Sequence, residues 1–398
     1  MLQTKKNAGK SLIFWLLYGA YVAIYMARLN LSMASPGMRE AGLLTAAELG
    51  FIGSAFSVIY SCGRLFNGIL GDRMAPKMLI LTGLVFTGIA NLAIGFLPPY
   101  VVLLVLWCIN AFAQSMLWSS LIRTVSSRYD KSRAGDRVSV LVSSVSVGNI
   151  LGILVSSWLI ENIGLQAAFF VPGALTILAG LAVLYIVPAA PKEKGQSQPF
   201  PWKTLLKDKK VRGILLPAMF HGTMKDNISL FMAVYFADRF LVNLESSAWY
   251  VLLIPVVGLV GRLAYPLCYR LCKKRENMIS VICFGLSAVL AAVLCLPGGT
   301  PLLAAVCLSL IYALVSMINT SFLSMLPIHF AAKGLVSSVS GITDFVTYLG
   351  AGIAAAIYGV WIEGGVMGYT FMFASWAVLS VLSILILLPQ HPFQVETE

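Results

Sequence analysis

Apolar runs of roughly 20 residues recur along the chain from Ser11 to Leu388, and each is long enough as a helix to cross the ~30 Å hydrocarbon core of a bilayer. About twelve are countable, near residues 11–34, 47–71, 78–97, 100–125, 136–160, 166–188, 211–238, 246–269, 277–296, 300–325, 334–361 and 367–389. The runs are continuous instead of alternating with polar residues, which predicts helices and not a barrel. In hydrocarbon every backbone N–H and C=O must be satisfied within the protein, so few other folds are open to such a chain. Composition agrees: 59% of the 398 residues are hydrophobic and only 11% are charged, against about a quarter in soluble domains. The expected fold class is an all-α integral membrane protein with 12 transmembrane helices. MLQTKKNAGK at the N-terminus has the charge of a secretory leader, but more spans follow it and no soluble domain does. The stretch from Ser11 to Leu31 is therefore read as the first helix of the mature protein.

The chain repeats itself. The second run ends in GRLFNGILGDRMAPK from Gly63, and GRLAYPLCYRLCKKRE starts at Gly261. Arg64 and Arg262 are 198 positions apart, and the cations of the preceding runs, Arg28 and Lys225, are 197 apart. One offset for two cation pairs is an internal repeat. It divides the chain into an N-terminal six-helix bundle over 1–190, a cytoplasmic linker over 191–210 and a C-terminal six-helix bundle over 211–398. The linker is polar and rich in Pro and Lys, with a short surface helix predicted from Trp202 to Lys209.

The net charge of +12 follows topology. Lysines and arginines gather in alternate loops: Lys5, Lys6 and Lys10; Arg73 and Lys77; Arg128, Lys131, Arg133 and Arg137; Lys192 through Arg212; Arg270 through Arg275; Lys333. This positive-inside pattern puts both termini in the cytoplasm of a cell whose plasma membrane the chain crosses many times. Nucleic acid is not an expected partner. The seven cysteines lack metal-site spacing and read as small packing residues. No nucleophile, base and orienting group recur together, and no phosphate-cradling loop is present, so an enzyme is not expected, nor a cofactor or metal.

Polar residues inside the spans carry the chemistry. In the first span Tyr21, Tyr25, Arg28 and Ser32 share one helical stripe. Arginine in hydrocarbon faces a cavity or a partner, or snorkels outward; the tyrosines beside it favour a polar lumen. Span two aligns Ser57, Tyr60, Arg64 and Asn67, span four carries Gln114, Trp118 and Arg123, and span five has a small-residue face with Gly148 and Gly152. Span seven is the most polar, with His221, Lys225 and Ser229 at intervals of four. Asp226 adjoins Lys225, but neighbouring helix positions point about 100° apart, so it is expected to face another helix and neutralise Arg262. His221 reads either as a titrating group or as a hydrogen-bonded structural histidine. Span ten offers Tyr312, Ser316 and Asn319. In span eleven Asp344 is a charge partner or a proton carrier, with Tyr348 one turn on. Tyr21, Tyr25, Tyr60, Trp118, Tyr312 and Tyr348 are candidates for a wall that selects size and shape. Four cations, Arg28, Arg64, Lys225 and Arg262, stand against Asp226 and Asp344. Uncompensated positive charge at that depth suits a visiting phosphate or carboxylate.

Two parallel sets of six spans joined by a basic loop resemble the major facilitator fold, with two pseudo-symmetric bundles. Gly68, Asp72 and Arg73 match the G-x-x-x-D-R core of that superfamily's gating loop, with Ala75 and Pro76 where a second glycine is usual. More narrowly, the chain resembles the organophosphate:phosphate antiporters of the glycerol-3-phosphate and hexose-phosphate transporter type. Tyr25, Arg28 and Asn30 match its first-span Y-x-x-R-x-N pattern, and Arg64 its span-two cation. Gln114, Trp118, Arg123 and Thr124 match its Q-x-x-x-W-x-x-x-x-R-T run, and GITDFVTYLGAG its span eleven. The resemblance implies that Arg28 and Lys225 bind a substrate phosphoryl group, with Arg64 nearby. Three positions depart from that family: Lys225 replaces an arginine, Val145 lies where a histidine is expected, and Asp344 stands in place of a glycine. The leading expectation is a monomeric secondary transporter exchanging a phosphorylated metabolite for phosphate by alternating access. The alternatives are a proton-coupled carboxylate symporter and a membrane sensor of a sugar phosphate.

Overall fold

The computed structural model describes residues 2–129, 131–188, 202–242, 244–273, 275–330 and 336–389. Among them the chain forms α1 (Leu2–Glu40), α2 (Ala46–Arg73), α3 (Pro76–Ile94), α4 (Tyr100–Ser115), α5 (Leu117–Ser126), α6 (Lys131–Asn162) and α7 (Ala167–Ile186). The short α8 (Trp202–Lys207) precedes α9 (Lys209–Phe240), α10 (Leu244–Leu271), α11 (Glu276–Leu294) and α12 (Pro301–Thr320). A π-turn (Ser321–Met325) and α13 (Leu326–Ile328) extend α12, and α14 (Val336–Glu363) and α15 (Val366–Leu387) complete the described chain, which contains no strand. Residues 191–201 of the expected linker lie outside the described residues.

Among the described residues eleven spans, with α4 and α5 counted as one, are long and apolar enough to cross a membrane. The helix at the expected seventh span, α9, is 32 residues long but is not among the eleven, and Lys225, Asp226 and His221 are the polar residues along it. Local chemistry sets its start: Asp208 caps it by accepting from the main-chain N–H groups of Lys210 at 2.9 Å and Val211 at 3.4 Å. Thr300 caps α12 in the same way, accepting from Leu303 N at 3.2 Å, with Pro301 in the first helical position. Large apolar side chains such as Leu263, Phe86 and Leu385 remain exposed on the spans, as expected where the solvent is lipid.

The helices group into two compact units, residues 1–44 with 62–198, and residues 45–61 with 199–398. Within the first, α1 packs on α6 and α3 on α7; within the second, α9 packs on α14 and α11 on α15, with α10 on α12. The sequence repeat is visible in single contacts. Gly63 of α2 lies against Ser115 of α4, and Gly261 of α10 against Ala313 of α12, where an added β-carbon would stand 2.7 Å from the Ala313 carbonyl oxygen. Positions 63 to 261 and 115 to 313 share the 198-residue offset read from the cations.

Buried asparagines tie the first unit together. Asn30 Nδ2 donates to Asn91 Oδ1 at 2.8 Å and to the Ala168 carbonyl at 3.0 Å, joining α1, α3 and α7. Asn91 Nδ2 donates to the Thr87 carbonyl at 2.9 Å, and Gln114 Nε2 to Asn110 Oδ1 at 3.0 Å. All four amides are almost inaccessible. Such bonds hold helices together where no hydrophobic drive operates between them. Replacing Asn91 with Leu strands the Asn30 amide and is expected to cost about 1–3 kcal/mol, read as a lower melting temperature in detergent. Asn162→Ala, which removes an exposed bond to the Trp158 carbonyl, is expected to cost under about 0.5 kcal/mol.

Candidate anion site

In the first unit the predicted aromatic stripe forms one file. Tyr21 stacks on Trp118 with centroids 5.2 Å apart and rings inclined by 27°. Tyr25 meets Tyr21 edge-on at 5.3 Å, and Arg28 Cζ lies 5.8 Å from the Tyr25 ring centre. Gly148 of α6 makes this possible: a β-carbon there would stand 2.6 Å from Tyr25 Cβ and 3.0 Å from the Val22 carbonyl oxygen. The guanidinium is thus carried on a ladder of rings whose faces favour cations. Arg64 is half-buried on α2, one turn before Asn67, whose Nδ2 donates to Ser115 Oγ at 2.7 Å.

In the second unit Lys225 sits half-way along α9, about 24 Å from either end. Its Nζ lies 5.3 Å from the centre of the Tyr348 ring on α14. Tyr348 packs on Tyr60 with centroids 4.9 Å apart, and Tyr60 stacks on Phe56. Gly222 of α9 rests against the Thr347 carbonyl, and Gly350 of α14 against that of Met219, so the helices run almost in backbone contact here. Asn227 Nδ2 crosses the same seam to the Ala351 carbonyl at 3.2 Å. Asp344 is buried on α14, and Arg262 is half-buried on α10 beside the Gly261 contact. Gly68, Asp72 and Arg73 belong to the last two turns of α2, and the side chains of Asp72 and Arg73 lie outside the described residues.

One expectation is corrected. Asp226 does not turn away from its neighbour: its Oδ1 lies 3.6 Å from Lys225 Nζ. The four-carbon stem of lysine bends along the helix toward the acid, which helical spacing of Cβ positions does not capture. At that distance the pair is electrostatic and not a hydrogen bond, and Nζ donates no hydrogen bond among the described residues. His221 lies one turn before Lys225 on α9. It is fully buried, and among the described residues neither ring nitrogen has a partner in hydrogen-bonding geometry.

Several polar pairs carry no sequence signal of their own. His329 Nε2 lies 3.0 Å from both carboxylate oxygens of Glu276, with both side chains buried. Tyr369 donates to Asp238 Oδ2 at 2.8 Å. Asn91 and Asn110 were detectable as amides within apolar runs, though not as partners.

The family profile described as Major Facilitator Superfamily matches residues 17–355. A probable hexose phosphate transport protein of Chlamydia muridarum is 27% identical over 183 residues, which cover 46% of this chain and 40% of the relative. The chain therefore spans less than half of that relative's length. A glycerol-3-phosphate transporter of Bacillus subtilis is 24% identical over 388 residues, covering 87% of this chain and 85% of the relative. A membrane sensor protein UhpC of Escherichia coli is 25% identical over 48% of this chain and 43% of its own. Among solved structures, a mutant of the nucleoside transporter NupG superposes with a TM-score of 0.76 at 17% identity, covering 94% of this chain and 98% of its own. A bacterial homolog of the lysosomal transporter Spinster gives 0.72 at 14% identity, over 96% and 95% of the two chains. These structural likenesses concern the fold.

The ring beneath Lys225 is separable from its hydroxyl. Tyr348→Phe keeps the cation–π contact and is expected to change stability by under about 0.5 kcal/mol, whereas Tyr348→Ala removes a contact of about 0.5–2 kcal/mol and is expected to lower the melting temperature in detergent, which reads both.

Proposed function

Because this chain belongs to the Major Facilitator Superfamily, a family of transporters and not of enzymes, we propose that it is a secondary transporter of a small phosphorylated metabolite, exchanged for inorganic phosphate by alternating access. The observation that carries this reading is Lys225. Among the described residues, the ammonium in the middle of α9, partly shielded from solvent, meets the Tyr348 ring face and an acid 3.6 Å away. An anion supplies the hydrogen-bond acceptors it lacks. The relatives named as hexose phosphate and glycerol-3-phosphate transporters support the same substrate class.

In this reading Arg28 and Lys225 hold the phosphoryl group and Arg64 adds positive potential. The rings of Tyr21, Tyr25, Tyr60, Trp118 and Tyr348 shape the wall, Asp226 stays with Lys225, Asp344 serves charge pairing or proton coupling, and Gly68, Asp72 and Arg73 serve the gate. The two six-helix bundles, 1–190 and 211–398, are the moving bodies. The protein acts as a monomer in the plasma membrane, with both termini in the cytoplasm.

The test is exchange of radiolabelled phosphate in proteoliposomes loaded with phosphate, without any ion gradient. Wild type is expected to exchange; Lys225→Gln is expected to lower the rate at least about tenfold, and Asp344→Asn to retain exchange. Phosphate binding without flux in wild type would move the protein to the sensors, and neither binding nor flux would discard the anion reading.

A further inference from the structure

Three helix ends of the first unit meet beside Phe14. Arg137, near the start of α6, is half-buried. Its Cζ lies 5.3 Å from the centre of the Phe14 ring on α1 and 5.4 Å from that of Tyr129, just past α5. The two rings stand 6.4 Å apart at 88°, so they form a corner around the guanidinium. The corner is fixed from behind: Phe14 is buried in the apolar core of the unit, and the Tyr129 hydroxyl donates to the Lys10 carbonyl at 3.2 Å. A ring face attracts the cation but offers no oxygen to its N–H groups. Among the described residues Arg137 meets these two rings and donates to no oxygen. Its neighbour Arg128 differs. There Nη1 donates to the Thr124 carbonyl at 2.8 Å and Nη2 to that of Pro188 at 3.2 Å, which closes the end of α5.

Charge and depth both bear on what completes Arg137. In sequence the segment 128–137 holds four basic residues against Asp130 and Asp136, and three lysines precede Phe14. Arg137 stands one turn before Val140, where the apolar part of α6 begins. Val140 is exposed, and so is Trp15, whose ring meets that of Phe14 edge-on at 5.3 Å. The guanidinium therefore lies at the depth of a bilayer headgroup, with apolar side chains beside it toward the hydrocarbon. A soluble anion would use the charge alone, whereas a phospholipid uses both. The surrounding basic residues repel a choline ammonium and favour a headgroup with net negative charge. In the proposed topology this end meets the cytoplasmic leaflet, whose anionic lipids give it a negative surface potential.

We propose that Arg137, Phe14 and Tyr129 seat the headgroup phosphate of an anionic phospholipid at the ends of α1, α5 and α6. The planar fork grips phosphate oxygens, the rings hold the guanidinium in place, and the acyl chains lie along Trp15 and Val140.

The test is lipid binding to the purified full-length protein in detergent, resolved by native mass spectrometry, with phosphatidylglycerol and phosphatidylcholine of identical acyl chains. Wild type is expected to bind phosphatidylglycerol more tightly. Arg137→Gln should lower that affinity roughly fivefold, the worth of one basic residue at an anionic surface, and leave phosphatidylcholine unchanged. Arg270→Gln removes an exposed cation from the last turn of α10 and should leave both unchanged. Equal or absent binding of the two lipids in wild type, or equal losses in the two variants, would reduce the site to diffuse surface charge and overturn the proposal. Displacement of phosphatidylglycerol by an equal concentration of inorganic phosphate would overturn it in favour of a soluble anion. Should Arg137→Gln not assemble, wild type is labelled with phosphatidylglycerol that carries a photoreactive group on its headgroup. Adducts on residues 10–18 or 137–144 are the expected result, and adducts confined to other segments overturn it.

Discussion

The structure depends on helices being able to approach until their backbones touch. Lipid offers no hydrophobic reward for bringing two apolar helices together, so packing and interhelical hydrogen bonds must do it. Glycine permits the closest contact, and it recurs at equivalent places in both units. Gly148 brings α6 onto Tyr25 of α1; Gly222 brings α9 onto Thr347 of α14. Positions 25 and 222 share the repeat offset, as do 148 and 347 within two residues. The glycine has changed sides of the helix pair while the contact has been kept. Each contact sits within one turn of a cation, Arg28 in one unit and Lys225 in the other, so packing also places the charge.

Keeping those charges in a low-dielectric setting requires other polar groups to be satisfied or held close. The first unit does so with rings and amides: Tyr21, Trp118 and Tyr25 lead to Arg28, and the Asn30–Asn91 bond locks the adjoining turn of α1 to α3. The second relies on Asp226 and Tyr348 around Lys225, and leaves His221 and Asp226 Oδ2 without hydrogen-bond partners among the described residues. Unsatisfied buried groups cost stability, on the order of 1–3 kcal/mol each. Their concentration within two turns of one helix fits a segment whose polar demands are met by something that comes and goes.

Much of this was legible in the chain. Span number followed from hydropathy, because the hydrocarbon core dictates helix length. The cations followed from the rarity of charge in such spans. The Tyr21–Tyr25–Arg28 stripe followed from the helical period. Asp226 escaped because a flexible lysine stem overrides the 100° rule.

The sequence by itself determined the spans, the duplication and the identity of the cations within the spans, since these rest on composition, periodicity and a constant offset that the folded chain inherits unchanged. Only the tertiary structure decided which polar groups meet. Asn30 and Asn91 are 61 positions apart and Glu276 and His329 are 53 apart. Nothing local in the chain encodes such a meeting. It is set by which helices lie side by side, at what height and with which small residues between them.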